Sequence, residues 1–584
     1  MSSSAEALVA PRLARYNRFL LLVAGLGGLL YGIDVGIIGG ALPYLQATSH
    51  LTPSELSIVV AAVLLGTVFS TLFAGLIADW LGRQPLMILS GIAFTLSVPV
   101  IALSHGYTPL LLGRLLQGVS GGLVGVVVPL YLAECLSARE RGRGTAVFQW
   151  LLTLGIFAAA LIGLYYSYHL VTIAKSGSAD VLFAAKNSAW RRIFWMSMPP
   201  GLLFVLGSFF VSESPRWLFR RGRKQQAEAA LLRSRTPEQA ALELSEMAQI
   251  AAETARKPGG HTDSLLQRRY ILPFLLACVI LACNTATGIN SVIGFNTNIL
   301  LEGGLSDVFA HWGYVVFTAF NFFLTLVGMQ LVDRKGRKFL FTTGTTGIII
   351  SMIAAGSLFH RTESHRFDAR AAIQPLVDAD QLTFKFDESG AQRLAASGAP
   401  VEGHQSFTII YSYGPFAGTT TPVRLGDPAI EIHRSDAVPS GKVESFFRNP
   451  FADLEAARTA PLTIEHAYLT PVPSALNGWL VAIFLYTFVA FYAMGPGVCV
   501  WLALSELMPT RIRSNGMSIA LVINQFVSAT LAAIFLPMVG KHGYSSMFFL
   551  FAGFTVIYLA TVVFFLPETK GKTLEEIEKF FERA

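Results

Sequence analysis

The chain has 584 residues, of which 53% are hydrophobic and only 14% charged, and its formal net charge is +7. Soluble proteins carry roughly 25% charged residues, so this deficit excludes an ordinary soluble domain and indicates a membrane protein. The basic residues lie in short clusters between apolar runs, without the aromatic groove that binds single strands, which argues against nucleic acid as a partner.

Apolar runs recur along the whole chain, and many are long enough to cross a bilayer, which takes about 20 residues. The first run is too long for the core of a cleavable signal peptide, so we expect it to be a membrane span. Hydropathy predicts twelve spans, at 17–41, 56–79, 85–104, 109–135, 144–168, 190–211, 269–301, 309–332, 338–359, 476–505, 515–540 and 546–566.

Clusters of arginine and lysine orient these spans. Cytoplasmic loops are enriched in both residues, so the clusters before span 1, after span 4 and after span 8 are expected to face the cytoplasm. An even number of spans then leaves both termini of this multi-pass membrane protein cytoplasmic. The clusters are Arg12, Arg15 and Arg18; Arg139, Arg141 and Arg143; and Arg334, Lys335, Arg337 and Lys338.

The spans divide into two units of six, and each unit is expected to form a helix bundle. A charged segment between them predicts amphipathic cytoplasmic helices. The expected divisions are the first bundle at 1–212, the linker at 213–268, the second bundle at 269–359 and 475–567, and a cytoplasmic tail at 568–584.

An internal repeat locates an insertion. Arg83 recurs as Arg337 at an offset of 254, whereas Glu134 recurs as Glu506 at an offset of 372, so the second half has gained 118 residues between spans 9 and 10. The polar, outward-facing segment 360–474 accounts for this gain. Its stretches L-T-F-K-F and S-F-T-I-I-Y-S-Y predict short strands, so we expect a small β-rich domain, with a disordered loop as the alternative.

Charges occupy the cytoplasmic ends of matching spans in both halves. One exposed ion pair contributes only about 0–1 kcal/mol, but a network of several can bias a two-state equilibrium. We interpret the set as a conformational latch, and the alternative is ordinary positive-inside charges. Its members are Asp79, Arg83, Glu134, Arg141, Glu213, Asp333, Arg337, Glu506, Arg513 and Glu568.

Eight motifs cover both halves in order and leave out the insertion: G-L-I-A-D-W-L-G-R, G-R-L-L-Q-G, P-L-Y-L-A-E, E-S-P-R-W, G-I-N, D-R-K-G-R-K, G-P-G-V-C-V-W and P-E-T-K-G-K-T. With these motifs the sequence resembles the sugar porter family of the major facilitator superfamily. The resemblance implies the all-α fold of that superfamily, with twelve transmembrane helices in two bundles that rock about a central site.

Two charged residues lie well inside predicted spans, Asp34 in span 1 and Arg114 in span 4, at a similar depth. A charge in the bilayer costs at least roughly 2.5–3.5 kcal/mol, so such residues are candidates for function. The resemblance implies that Asp34 is the proton-accepting aspartate of bacterial symporters and Arg114 its partner. With this match and the short tails, we expect a bacterial inner membrane. The alternative is a static ion pair.

A sugar needs neutral donors and acceptors and an aromatic face. Amides inside apolar spans could bind it or tie helices together. The resemblance places Gln149, Asn290, Asn321, Trp501 and Asn524 at sugar-contacting positions. Asn284 and Thr285 stand where many relatives carry paired glutamines, which alters the pocket and leaves a cyclic polyol such as inositol among the candidates.

The expected function is proton-coupled symport of a pentose, a hexose or a related polyol by a monomer. The alternatives are a facilitative uniporter and a non-transporting membrane sensor. No nucleotide loop, metal-spaced cluster or nucleophile pattern is present in the sequence, so we expect neither an enzyme nor a cofactor. Glycines in span 1 at Gly32, Gly36, Gly39 and Gly40, and G-P-G from Gly495 in span 10, predict bending or close helix packing.

Overall fold

The computed structural model describes residues 2–49, 51–136, 138–175, 178–256, 268–378, 380–400, 405–439, 441–442, 445, 452–508 and 513–570. Parts of the predicted linker and tail, 257–267 and 571–584, lie outside these residues. In the described chain, twelve helices or helix pairs are long and apolar enough to cross a membrane, which confirms the predicted fold class.

The helices follow the chain in the predicted order. Spans 1 to 6 are α1 (Ser2–Thr48), α2 (Pro53–Leu81), α3 (Arg83–Ala102), α4 (Tyr107–Cys135), α5 (Ala138–Ala174), and α6 (Ala179–Trp195) with α7 (Met198–Phe210). The linker holds α8 (Pro215–Arg220), α9 (Lys224–Leu232) and α10 (Pro237–Arg256). Spans 7 to 9 are α11 (Arg268–Ala286) with α12 (Ile289–Glu302), α13 (Asp307–Lys335) and α14 (Arg337–Glu363).

The insertion contributes α15 (Arg370–Ile373), α16 (Glu388–Ala396), α17 (Arg434–Ala437) and α18 (Leu454–Thr459). Spans 10 to 12 are α19 (Ala475–Met494) with α20 (Pro496–Leu507), α21 (Arg513–His542) and α22 (Tyr544–Phe565).

Matching glycines end spans 2 and 8. Gly82 and Gly336 have φ angles of 107° and 90°, a region that suits glycine because it has no Cβ. Spans 3 and 9 begin at the next residues, Arg83 and Arg337. The two glycines therefore place each arginine at the first position of its helix.

In the described chain spans 6, 7 and 10 are broken helices, and span 6 breaks between Trp195 and Met198. Span 10 breaks at Gly495, between Met494 and Pro496, where the G-P-G motif predicts bending. Span 7 breaks before Gly288, which is left-handed with a φ angle of 87°. Span 1, in contrast, is one continuous helix, and its glycines allow close packing: a Cβ at Gly32 would overlap the carbonyl of Leu152 in span 5.

Span 6 begins earlier than hydropathy predicts, at Asp180 instead of residue 190. Its first turns contain Lys186 and Arg191, which lower the hydropathy of that stretch. Arg191 donates from Nη1 to the carbonyls of Ala102 and Ser104, 2.8 Å away in each case. These bonds satisfy carbonyls that are left free at the end of span 3.

The insertion is β-rich, as predicted. Its strands are β1 (Phe367–Asp368), β2 (Leu382–Phe384), β3 (Gln405–Tyr413), β4 (Phe416–Thr419), β5 (Val423–Arg424), β6 (Ile430–Ile432) and β7 (Leu462–Pro471). An antiparallel sheet has the order β1-β7-β3-β4, with β5 also paired to β3, and β2 pairs with β6. One face of β3 is buried in the insertion's own apolar core, through Phe407, Ile409 and Tyr411.

The two halves meet at the end of the spans that carries the insertion, here named the insertion end. One apolar cluster there combines Leu42 of span 1 with Phe535 of span 11. At the opposite end, named the linker end because α8 packs there, the halves have separate apolar clusters. Tyr131 belongs to the cluster of the first half and Phe341 to that of the second.

Candidate functional site

Asp34 and Arg114 lie together inside the first bundle. Arg114 Nη1 is 3.8 Å from Asp34 Oδ1, and the two side chains are 1% and 0% exposed. Neither carboxylate oxygen has a hydrogen-bond partner among the described groups. A buried charge without hydrogen bonds is costly, so a charge on Asp34 depends on the nearby Arg114 guanidinium for compensation.

A third polar side chain completes this group. Arg114 Nη1 donates to Gln117 Oε1 at 2.7 Å, a shorter contact than the one to Asp34. The guanidinium also lies over the ring of Phe194 in span 6, 5.7 Å from its centroid. On the other side of Asp34, the small Gly121 leaves room for its Oδ2 atom, because a Cβ there would lie 2.9 Å away.

Four of the predicted solute-binding residues are bonded to neighbouring helices in the second half. Asn524 donates to the Leu281 carbonyl at 2.8 Å, and Thr285 donates to the Asn524 carbonyl at 3.1 Å. Asn290 donates to Ser528 Oγ at 2.7 Å.

Asn284 is the fourth of these residues, and its side-chain amide donates to Tyr492 Oη at 3.2 Å. Its carbonyl oxygen is buried without a partner in the described structure. These amides therefore join span 7 to spans 10 and 11, and Asn284 retains an acceptor that a solute hydroxyl could use.

The other three predicted residues have side chains that form no hydrogen bond to the described parts of the chain: Gln149, Asn321 and Trp501. Gln149 and Asn321 precede Trp150 and Phe322, whose rings stack across the two halves with centroids 5.2 Å apart. Trp501 is 42% exposed. Gln149 and Asn321 are thus each next in sequence to a ring at the contact between the halves, and their side-chain amides form no hydrogen bond in the described structure.

The charges at the linker end form a dense network in the first half. Arg83 Nη2 donates to Glu134 Oε1 at 2.9 Å, and its Nη1 is 3.0 Å from Asp79 Oδ1. Glu213 Oε1 accepts the main-chain N–H of Arg83 at 3.0 Å, at the start of span 3. Ser214 donates to the second oxygen of Glu134.

Burial raises the pKa of the Glu213 carboxyl above its ordinary value. The main-chain N–H groups of Ser214, Arg83 and Gln84 act in the opposite direction, as does the Arg83 charge. Since the carboxyl accepts the N–H groups of Arg83 and Gln84 at the start of span 3, it acts as a helix cap as well as a member of the charge network.

The second half repeats this network. Arg337 Nη2 donates to Glu506 Oε1 at 2.9 Å, and Glu568 Oε1 accepts the Arg337 N–H at 3.1 Å. Thr569 donates to Glu506 at 2.6 Å, as Ser214 does to Glu134. Each described network stays within its own half. The side chains of three further predicted members, Arg141, Asp333 and Arg513, lie outside the described residues.

Contacts between the halves concentrate at the insertion end. Eight hydrogen bonds join described residues of the two halves there. The pairs are Tyr44–Asp307, Ser167–Asp307, Thr297–Gly39, Asn298–Gln46, His311–Gly40, Trp312–Tyr168, Tyr314–Gly36 and Leu536–Ser57. The observed conformation is therefore closed at the insertion end.

Sequence reasoning missed several polar residues of the site. Gln117 stands inside the motif G-R-L-L-Q-G, three residues after Arg114, a spacing that places two side chains on one helix face. Tyr492 and Ser528 carry no comparable signal, because their roles depend on which spans pack together. His311, whose Nε2 atom is 3.2 Å from the Gly40 carbonyl, was missed for the same reason.

Comparison with known proteins identifies relatives of the whole chain. The family model described as "Sugar (and other) transporter" matches residues 20–374 and 458–581, so the unmatched stretch lies inside the insertion. The human "Proton myo-inositol cotransporter" is 28% identical over 585 residues, covering 97% of this chain and 82% of that protein. "Probable inositol transporter 3" of Arabidopsis thaliana is 26% identical over 581 residues, covering 97% and 92%.

A similar fold occurs among solved structures. The inward-open conformation of the xylose transporter XylE from E. coli is similar with a TM-score of 0.63 and 20% sequence identity, covering 96% of this chain and 98% of that one. This likeness concerns the fold.

Proposed function

The chain belongs to the family of sugar (and other) transporters, and from that premise we propose that it carries a monosaccharide or a cyclic polyol together with protons. It is a transporter and not an enzyme. We further propose that it works as a monomer in a bacterial inner membrane. Both termini should lie in the cytoplasm, because the arginine and lysine clusters lie at the linker end.

The main support for proton coupling is the buried pair of Asp34 and Arg114. Its two side chains are 0% and 1% exposed, so the charge of one cannot change without a large effect on the other. A deprotonated Asp34 holds the guanidinium by charge. A protonated Asp34 releases it, and the first bundle is then free to reorient with solute bound.

The solute site lies between the bundles. Gln149 and Asn321, each one residue before a ring of the stacked pair Trp150 and Phe322, offer amides that have no partner in the described structure, and Asn284 offers a free carbonyl oxygen. Neutral donors and acceptors beside aromatic rings suit a polyhydroxylated ring, whose C–H face packs on an aromatic ring. Since two of the relatives are named inositol transporters, myo-inositol is the first solute to test.

Alternating access follows from the distribution of contacts. The eight hydrogen bonds between the halves close the insertion end, while the described charge networks at the linker end stay within each half. With the linker end in the cytoplasm, this conformation would release or admit solute on the cytoplasmic side. Reorientation would break the eight hydrogen bonds and bring the two halves together at the linker end.

The test uses proteoliposomes that enclose a pH-sensitive dye, with proton movement followed on addition of myo-inositol, pentoses and hexoses. Proton entry with one solute would establish symport and identify the substrate. Equilibration of a solute without proton movement would overturn the coupling and leave a facilitative uniporter. Binding without any flux would leave a membrane sensor.

A further inference from the structure

We propose that Gln117 is a positioning residue for proton coupling, which holds the Arg114 guanidinium while Asp34 is protonated. The inference rests on the proposed function, in which Asp34 gains and loses a proton. The main evidence is that the two contacts of Arg114 differ in length: Nη1 is 2.7 Å from Gln117 Oε1 but 3.8 Å from Asp34 Oδ1.

Protonation of Asp34 creates a problem that a second acceptor solves. Arginine stays charged, and a buried guanidinium without an acceptor is costly. The amide oxygen of Gln117 is an acceptor whose charge does not change with pH. It can therefore satisfy Arg114 in the state in which the carboxyl is neutral.

The burial of Gln117 supports a specific role. The side chain is 0% exposed, and its Nε2 atom has no hydrogen-bond partner among the described residues. A buried amide with a free donor is unfavourable, so packing alone does not account for it. Since arginine only donates, the oxygen must face Arg114, and the spacing of three residues on span 4 fixes that geometry.

Few other described groups near Asp34 and Arg114 could accept a hydrogen bond from Arg114 or titrate beside Asp34. Tyr31 of span 1 is the other titratable side chain facing Asp34, and both lie next to the position where a Cβ of Gly121 would be. From span 6 the guanidinium is faced by the uncharged ring of Phe194. In the described structure, Gln117 is thus the neutral acceptor bonded to Arg114.

Removing the acceptor should shift the protonation of Asp34. In Gln117→Met, which keeps the volume of the side chain, the protonated state leaves Arg114 without its acceptor and becomes less favourable. The pH at which Asp34 is half protonated should move down by about one unit, equivalent to about 1.4 kcal/mol. In Gln117→Glu the added carboxylate disfavours a second negative charge, so uptake should become half-maximal at a higher pH.

Infrared titration of the purified protein measures the first shift without any solute. The protonated carboxyl band of Asp34 is identified by its loss in Asp34→Asn, and its midpoint is compared in wild type and Gln117→Met. Ser120→Ala is the matched control, because Ser120 is buried in the same span but donates to the carbonyl of Ser90. Uptake of myo-inositol into proteoliposomes against external pH gives the second readout for Gln117→Glu.

The expected result is an acid shift in Gln117→Met, an alkaline shift in Gln117→Glu and no shift in Ser120→Ala. Unchanged profiles in both Gln117 variants would overturn the inference. If the infrared midpoint shifts but wild-type protein moves no protons with any solute, Gln117 keeps its role toward Arg114 and the proposed symport fails. The two ideas are therefore separable.

Discussion

The hydroxyl of Tyr44 in span 1 donates to Asp307 Oδ2 at the start of span 8, at 3.0 Å, and joins the two halves at the insertion end. Ser167 of span 5 donates to the same oxygen. The ring of His311 stacks on Tyr44 with centroids 5.4 Å apart and an angle of 8°. A single carboxylate thus receives two donors from the first half, and opening of this end must break both bonds.

Substitution Tyr44→Phe should weaken this closure. The ring and its stacking on His311 remain, but one hydrogen bond to a carboxylate is lost, which contributes roughly 1.5–3 kcal/mol. Spin labels at His105→Cys and Leu425→Cys, both exposed and in different halves, would report the separation of the insertion end. We expect a larger population at long distances by pulsed electron resonance.

Tyr165→Phe is the matched control for Tyr44→Phe, because Tyr165 is 68% exposed. The four native cysteines are buried, so they should react little with the label. A distance distribution identical to wild type in Tyr44→Phe would contradict the assigned role of this bond.

The charge networks of the two halves at the linker end should differ in their effect on stability. Arg83→Met removes the buried partner of Glu134, the two side chains being 2% and 9% exposed, and among the described cations leaves Glu134 only the exposed Arg220 at 3.5 Å. The loss should therefore approach the roughly 3–5 kcal/mol of a broken buried ion pair. Arg337→Met should cost less, because Arg337 and Glu506 are 14% and 19% exposed. Thermal unfolding in detergent measures the difference, and equal losses in Tm would argue against burial as the cause.

Two asparagines of the solute site should respond differently to alanine. Asn321→Ala removes a free amide, so the affinity for solute should fall about tenfold, as for one lost hydrogen bond, with Tm unchanged. Asn524→Ala also releases the Leu281 carbonyl, so Tm should fall as well. Titration calorimetry with the substrate and thermal unfolding separate the effects. A fall in Tm for Asn321→Ala would assign it a packing role instead.

Removal of the insertion should leave transport intact. Phe367 of β1 pairs with Leu469 of β7, so the two ends of the domain are adjacent and a short Gly-Ser linker can replace residues 366–471. Glu363 must stay, because it accepts the N–H of Tyr544 at 2.6 Å and caps span 12. We expect normal counterflow of solute. Loss of counterflow in a folded, membrane-inserted variant would assign the insertion a part in the cycle.

Much of this architecture follows from local sequence. Apolar runs give the spans, and the change in repeat offset between Arg83 and Glu134 gives the insertion. The similar depth of Asp34 and Arg114 allows the two side chains to pair, and the resemblance to the sugar porter family supports that pairing. These features depend on composition and spacing along the chain, which the sequence contains directly.

Other features depend on how spans pack together. The bond from Asn284 to Tyr492 joins spans 7 and 10 and could not be inferred from either span alone. The break before Gly288 lies within a stretch that hydropathy predicts as one span, 269–301, so hydropathy gives no indication of it. Trp501, predicted to form an aromatic wall of the solute site, is 42% exposed, and its exposure depends on which helices lie beside it rather than on its own span.

The most direct test of proton coupling compares wild type with Asp34→Asn in proteoliposomes, using accumulation driven by an inward proton gradient and counterflow exchange without a gradient. Asparagine keeps the size of the side chain but cannot be protonated. The proposed mechanism predicts that wild type accumulates solute, increasingly as external pH falls, whereas Asp34→Asn only exchanges it. Gradient-driven accumulation that persists in Asp34→Asn would contradict it.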